Sequence, residues 1–138
     1  MNDRLTMKVP GKPEYVGTVR MAIAHIASHA GFDIEAIDDI KVAVSEACTN
    51  IICHAYKTTD FTYDVIFDMG SNGITITIKD FGEGFNTENC LESAPEELRK
   101  SGLGLFIIKA LMDEVDINSM PGSGANIRMT KYLPDRIA

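Results

Sequence analysis

No apolar run in this 138-residue chain approaches the ~20 residues that a membrane-spanning helix needs. The opening residues, Met1-Asn-Asp-Arg, lack the apolar centre of a signal peptide, so a cytoplasmic location is expected. Cysteine is scarce too. Cys48, Cys53 and Cys90 are odd in number and contain no C-x-x-C pair, so neither a disulfide framework nor a zinc knuckle is indicated; they read as small apolar fillers. Basic residues are in deficit, 13 against 20 acidic, for a net charge of −7. That balance argues against nucleic acid or an anionic membrane as the main ligand. It leaves nucleotides open, because phosphates meet backbone N–H groups and a cation locally.

What is present fits one α/β domain over 1–138, with 45% hydrophobic and 24% charged residues and length enough to bury a core. Thr6 to Val9 reads as a short edge strand, stopped by Pro10-Gly11-Lys12-Pro13. A helix follows from about Glu14 to Ala30, with stripe Val16, Val19, Ile23, Ile26, Ala27, Ala30 and Gly31 as its C-cap. His25 and His29 lie one turn apart, but no third ligand follows at a metal-site spacing, so they read as surface histidines. A second helix starts at the N-cap Asp33 and runs to about Tyr56. Ile37, Ile40, Val44, Ala47, Cys48, Ile51 and Ala55 make its broad apolar face. At about 100° per residue, Glu46 and Asn50 lie about 40° apart on the other side. Their neighbours there, Ala43 and Cys53, are too small and apolar for a solvated surface and suit a cavity wall.

Tyr63, Val65, Phe67 and Met69 alternate with polar residues. Gly70-Ser-Asn-Gly73 then turns the chain into a second strand, Ile74 to Lys79. An acid-rich cover of about 85–101 leads to a helix over Gly102–Glu114, with Leu103, Phe106, Ile107, Ala110 and Leu111 expected inward and Asp113-Glu114 opposing its macrodipole. Strands at Val115–Ser119 and Ala125–Tyr132 flank a turn. Hairpins dominate, which predicts a two-layer α/β sandwich, a mostly antiparallel mixed sheet with helices on one face. This is not Rossmann alternation, so Gly102-x-Gly104 is not a dinucleotide fingerprint.

Asp80 ends a strand, glycines 82 and 84 follow, and Gly102 and Gly104 open a helix. That is the outline of a nucleotide site. Asn50 offers a neutral oxygen for Mg²⁺, whose other ligands would be phosphate and water. Glu46, one turn away, can take the proton of a hydroxyl attacking a γ-phosphorus. Asp80 as an acceptor suits the exocyclic amine of adenine. Gly82 and Gly84 let the backbone pass close to the base, and Gly102 and Gly104 present N–H groups to phosphates.

At these residues the chain resembles a family. Ser45-Glu-Ala-Cys-Thr-Asn-Ile-Ile-Cys-His-Ala-Tyr56, Asp80-Phe-Gly-Glu-Gly84 and Ser101-Gly-Leu-Gly-Leu105 look like the N, G1 and G2 boxes of the Bergerat-fold (GHKL) ATPase/kinase superfamily. Within it, Met7-Lys-Val-Pro, Pro13-Glu-Tyr-Val-Gly, Leu111-Met-Asp-Glu-Val and Met129-Thr-Lys-Tyr-Leu133 resemble the anti-sigma-factor serine kinases of partner switching, the RsbW type. The resemblance implies a serine/threonine-protein kinase that uses Mg-ATP to phosphorylate a serine of a STAS-type anti-anti-sigma factor and otherwise sequesters a sigma factor. It implies Glu46 as base, Asn50 as Mg²⁺ ligand, and Asp80, Gly82, Gly84, Gly102, Leu103, Gly104 and Leu105 around the nucleotide. It also implies Thr130 near adenine, Lys100 reaching the γ-phosphate, Arg20 meeting protein partners, and a homodimer. Two departures stand out: Phe81, where a small or acidic residue is common, and Glu88, Glu92, Glu96 and Glu97 in the cover. A non-catalytic nucleotide-binding switch would share every binding residue, differing only at Glu46. A sensor histidine kinase domain is disfavoured, because there is no room for a dimerisation helix pair carrying a phosphoacceptor histidine.

Overall fold

A computed structural model describes residues 2–54, 61–80, 101–120 and 124–134. Strand β1 (Asp3–Pro10) leads through a 3-10 turn (Pro13–Tyr15) to helix α1 (Val16–Ala30) and helix α2 (Ile34–His54). Strands β2 (Thr62–Met69) and β3 (Gly73–Asp80) follow, then helix α3 (Ser101–Leu111) and strands β4 (Glu114–Met120) and β5 (Gly124–Tyr132). The sheet order is β1-β2-β3-β5-β4. Each pairing in that order is antiparallel, so no parallel pair of a mixed sheet occurs among the described residues.

Period-two patterning decides which face is covered. Tyr63, Val65 and Phe67 of β2, Ile74, Ile76 and Ile78 of β3, and Ile127 and Met129 of β5 are buried against Val19, Ile23, Ile40, Val44 and Ile51 of the helices. Register keeps them aligned: Val65 opposes Ile78 and Ile78 opposes Ile127, while Phe67 opposes Ile76 and Ile76 opposes Met129. Burying each such side chain fully is worth roughly 1.5–3 kcal/mol, so a slip by one residue would expose the whole set. The other face carries Asp64, Asp68, Thr75, Thr77, Arg128 and Thr130, all exposed or half-buried. The expected two-layer sandwich is what forms.

Local signals hold where short-range chemistry decides. Gly31 closes α1 at φ 104°, a left-handed cap that glycine adopts without a Cβ penalty. Asp33 caps α2 through Oδ1, which accepts the Ala36 N–H at 2.8 Å. The Gly70 N–H donates to the Gly73 carbonyl at 3.0 Å and closes the β2–β3 hairpin. β1 is longer than the expected Thr6–Val9, because all eight of its residues pair with β2.

Two expectations for α3 are corrected. Its inward residues are Gly104, Ile108 and, just past its end, Met112, with Leu105, Ile107 and Leu111 half-buried; Leu103 is 68% exposed, Phe106 73%, and Ala110 is exposed as well. The side of α3 that lacks a side chain at Gly104 faces α2, and this rotates the bulky residues outward. The helix also stops at Leu111. Lys131 Nζ donates to the Leu111 carbonyl at 2.6 Å, a cation at the helix C-terminus. The Asp113 carboxylate accepts the Tyr132 N–H at 2.7 Å, and Glu114 belongs to β4. The expected acidic clash with the macrodipole is thereby relieved.

Cys48 and Cys53 are fully buried free thiols, as expected of fillers. Burial pushes the Cys48 thiol up to about 12, which keeps it unreactive. Cys90 lies outside the described residues. No helix among the described residues is long and apolar enough to cross a membrane.

Candidate active site

The site is built where α3 packs on α2. On α2, Ala43 and Cys53 are fully buried and Asn50 is 4% exposed. Glu46, one turn before Asn50, is half-buried.

Gly104 defines the closeness of the approach. A Cβ added there would lie 2.5 Å from Glu46 Oε2, 3.1 Å from Asn50 Nδ2 and 3.5 Å from Glu46 Cβ. Glu46, Asn50 and the first turn of α3 are thus in one place. α3 begins at Ser101, so the leading N–H groups at Gly102, Leu103 and Gly104 have no partner within the helix. They form a donor cluster at the positive end of the macrodipole, beside a carboxylate and an amide.

The amide's orientation follows from its bond. Asn50 Nδ2 donates to the Glu46 carbonyl at 2.9 Å. Only the nitrogen end can donate to a carbonyl, so Oδ1 is turned away from the helix backbone. One fixed neutral oxygen fits Mg²⁺, which keeps several waters and takes phosphate oxygens alongside few protein ligands. Among the described residues no group of three or more His, Cys, Asp and Glu side chains gathers at a metal-sized spacing. A single amide oxygen at Asn50 suits a cation that takes its remaining ligands from phosphate and water. Burial raises the Glu46 carboxyl above the usual carboxylate range, which makes it the better proton acceptor.

Asp80 ends β3 on the helix-covered face, in phase with Ile74, Ile76 and Ile78, and is 4% exposed. Its cross-strand neighbour is Ala125 on β5. Sequence reasoning missed Ala125, though the inward alternation Ala125, Ile127, Met129 carries the signal. Thr130 is not brought to Asp80. It opposes Thr75, five residues along β5 from the Asp80 rung, about 16 Å at a strand's rise per residue. It lies on the outer sheet face, sharing a hydrogen bond of 3.0 Å with the Thr75 hydroxyl. The parity that turns Ile127 and Met129 inward turns Thr130 away from the helices.

Leu105 is half-buried and Leu103 points outward. Arg20 is exposed on α1 between buried Val19 and Ile23. Gly82, Gly84, Lys100 and the cover before Ser101 lie outside the described residues.

Residues 9–131 match the family described as histidine kinase-like ATPase domain. A relative named serine-protein kinase RsbW from Oceanobacillus iheyensis is 43% identical over 142 residues, spanning 96% of this chain and 89% of the relative. A second of that name, from Bacillus thuringiensis, is 37% identical over 139 residues, spanning 95% and 86%. Among solved structures, the RsbU and RsbW domains of a Mycobacterium tuberculosis protein superpose with TM-score 0.71 at 22% identity, covering 97% of this chain and 33% of that one. The SiaB–SiaC complex of Pseudomonas aeruginosa gives TM-score 0.66 at 13% identity, covering 91% and 88%; at these identities the two structures speak for the fold. The chain belongs to the histidine kinase-like ATPase family and, within it, to the RsbW serine-protein kinases.

Proposed function

We propose that residues 1–138 act as one cytoplasmic ATP-dependent kinase domain that phosphorylates a serine of an anti-anti-sigma factor and, in its other complex, sequesters a sigma factor. The observation that carries this reading is the juxtaposition of Glu46, Asn50 and Gly104. Adenine would be held by Asp80, with Gly82 and Gly84 beside the base. The phosphates would lie on the N–H groups of Gly102, Leu103 and Gly104, with Lys100 reaching the γ-phosphate. Asn50 Oδ1 would hold Mg²⁺, which supplies charge neutralisation on the phosphate oxygens when bound.

The chemistry assigned to the chain's own residues is proton movement and positioning. The serine hydroxyl oxygen attacks the γ-phosphorus while Glu46 accepts its proton. The new P–O bond forms as the bond to ADP breaks, and ADP leaves with the electron pair. Arg20 is assigned to the protein partners, and a homodimer is the working assembly.

The test is incubation with labelled ATP and candidate anti-anti-sigma proteins, with a sigma-factor pull-down in parallel. Labelled serine in one candidate is expected, together with a Glu46→Gln variant that binds ATP and transfers no label. Undiminished transfer by that variant removes Glu46 from its role. ATP binding with no transfer to any candidate by the parent protein favours the non-catalytic switch.

A further inference from the structure

His25 and His29 occupy the last two turns of α1, both exposed, on the side away from Ile23, Ile26 and Ala27. Their spacing of four residues puts them on one stripe of the helix surface. The ring centres are 4.5 Å apart with planes inclined at 62°. Apart from this ring contact, neither imidazole is engaged in a hydrogen bond or ion pair among the described residues. Two exposed imidazoles held this close on one helix stripe offer two nitrogen donors to one ion once their rings turn toward it.

The separation selects a coordination angle. A metal–imidazole bond is about 2.0 Å and the ring centre lies roughly 1.2 Å behind the nitrogen, so a shared ion would stand about 3.2 Å from each centre. With the centres held 4.5 Å apart, rings turned so that one nitrogen of each meets the same ion would place the two bonds at about 90° by that geometry. A right angle matches adjacent positions of a tetragonal or octahedral ion and is narrow for a tetrahedral one. Copper(II) and nickel(II) prefer such geometries with nitrogen ligands, whereas zinc is almost always tetrahedral in closed protein sites.

We infer that His25 and His29 form a surface chelate for one divalent late first-row transition ion, copper(II) foremost, with water completing the coordination. The site is separate from Glu46 and Asn50 and does not depend on the kinase reading.

The test is titration of the full chain with copper(II), followed by calorimetry and by electron paramagnetic resonance, with zinc(II) in parallel. One equivalent of copper is expected, bound more tightly than zinc, with hyperfine structure from two imidazole nitrogens. His25→Asn and His29→Asn should each weaken binding at least tenfold and abolish the two-nitrogen pattern. The double variant should bind more weakly than either single one, because it also loses the remaining one-imidazole contact. Both positions are exposed, so circular dichroism should show unchanged helix content. His54→Asn, at the remaining histidine, should bind as the parent does. Full-affinity copper binding in the double variant would overturn the inference and put the ion elsewhere, such as the N-terminal amine. Two equivalents in the parent, with one lost at each single substitution, would also overturn it, since they describe two independent one-nitrogen sites.

Discussion

Gly104 stands so close to Glu46 that a β-carbon at position 104 would sit 2.5 Å from Glu46 Oε2. The obstructing atom is the end of a flexible side chain, so the fold can yield by moving the carboxylate. Gly104→Ala is therefore expected to fold with a modest stability loss, at the low end of the about 1–3 kcal/mol typical of overpacking. Displacing the base by about 1 Å should lower phosphate transfer on the order of 100-fold. Thermal melting beside a labelled-phosphate assay checks both parts; parent-like transfer would show that Glu46 need not hold this position.

Asp80 is the buried carboxylate assigned to adenine. Asp80→Asn weakens one charge-assisted hydrogen bond, worth roughly 1.5–3 kcal/mol, so ATP affinity should fall by about one to two decades. Calorimetry reads this directly. Equal affinities for mutant and parent would count against the assignment.

Thr130 supplies the contrast. Its hydroxyl pairs with Thr75 on the outer sheet face, so Thr130→Val should leave ATP affinity within twofold of the parent. The lost hydrogen bond should cost about 0.5–1.5 kcal/mol of stability. Ala125 opposes Asp80 and is buried, so Ala125→Leu should impair nucleotide binding. The reverse pattern in parallel titrations would move the base pocket to the far end of β5.

Burial raises the Glu46 carboxyl from its ordinary value. The transfer rate should therefore rise with pH through an apparent pKa above the ordinary glutamate range, as the base loses its proton. The linkage has the opposite sign. A group protonated more readily when folded stabilises the fold at low pH, and that contribution is lost as pH rises through its folded value. At neutral pH the Glu46 charge is therefore a cost, and Glu46→Gln should melt no lower than the parent. A lower melting temperature in neutral buffer would contradict this.

Much of the fold is legible in the sequence because local chemistry decides it. The stripe Val19, Ile23, Ile26 and Ala27, the Asp33 cap and the Gly70–Gly73 hairpin all follow from spacing and turn residues. The small residues Ala43 and Cys53, beside Glu46 and Asn50, mark a covered wall by their size and apolarity alone. What fails depends on non-local contact. In α3 two apolar faces compete, Leu103/Phe106/Ala110 and Gly104/Ile108/Met112, and spacing does not choose between them. The approach to Glu46 and Asn50 selects the second, because a bulky side chain at 104 would press on both. Thr130 fails through register, since its distance from Asp80 follows from the β3–β5 alignment.

The central claim is that α2 and the first turn of α3 enclose the triphosphate while Asp80 holds the base. A crystal structure with a nonhydrolysable ATP analogue and magnesium tests it most directly. The account predicts phosphates on the N–H groups of Gly102 to Gly104, the cation on Asn50 Oδ1 and the adenine amine on the Asp80 carboxylate. An analogue bound with its phosphates away from α3, or its base away from Asp80, would contradict it.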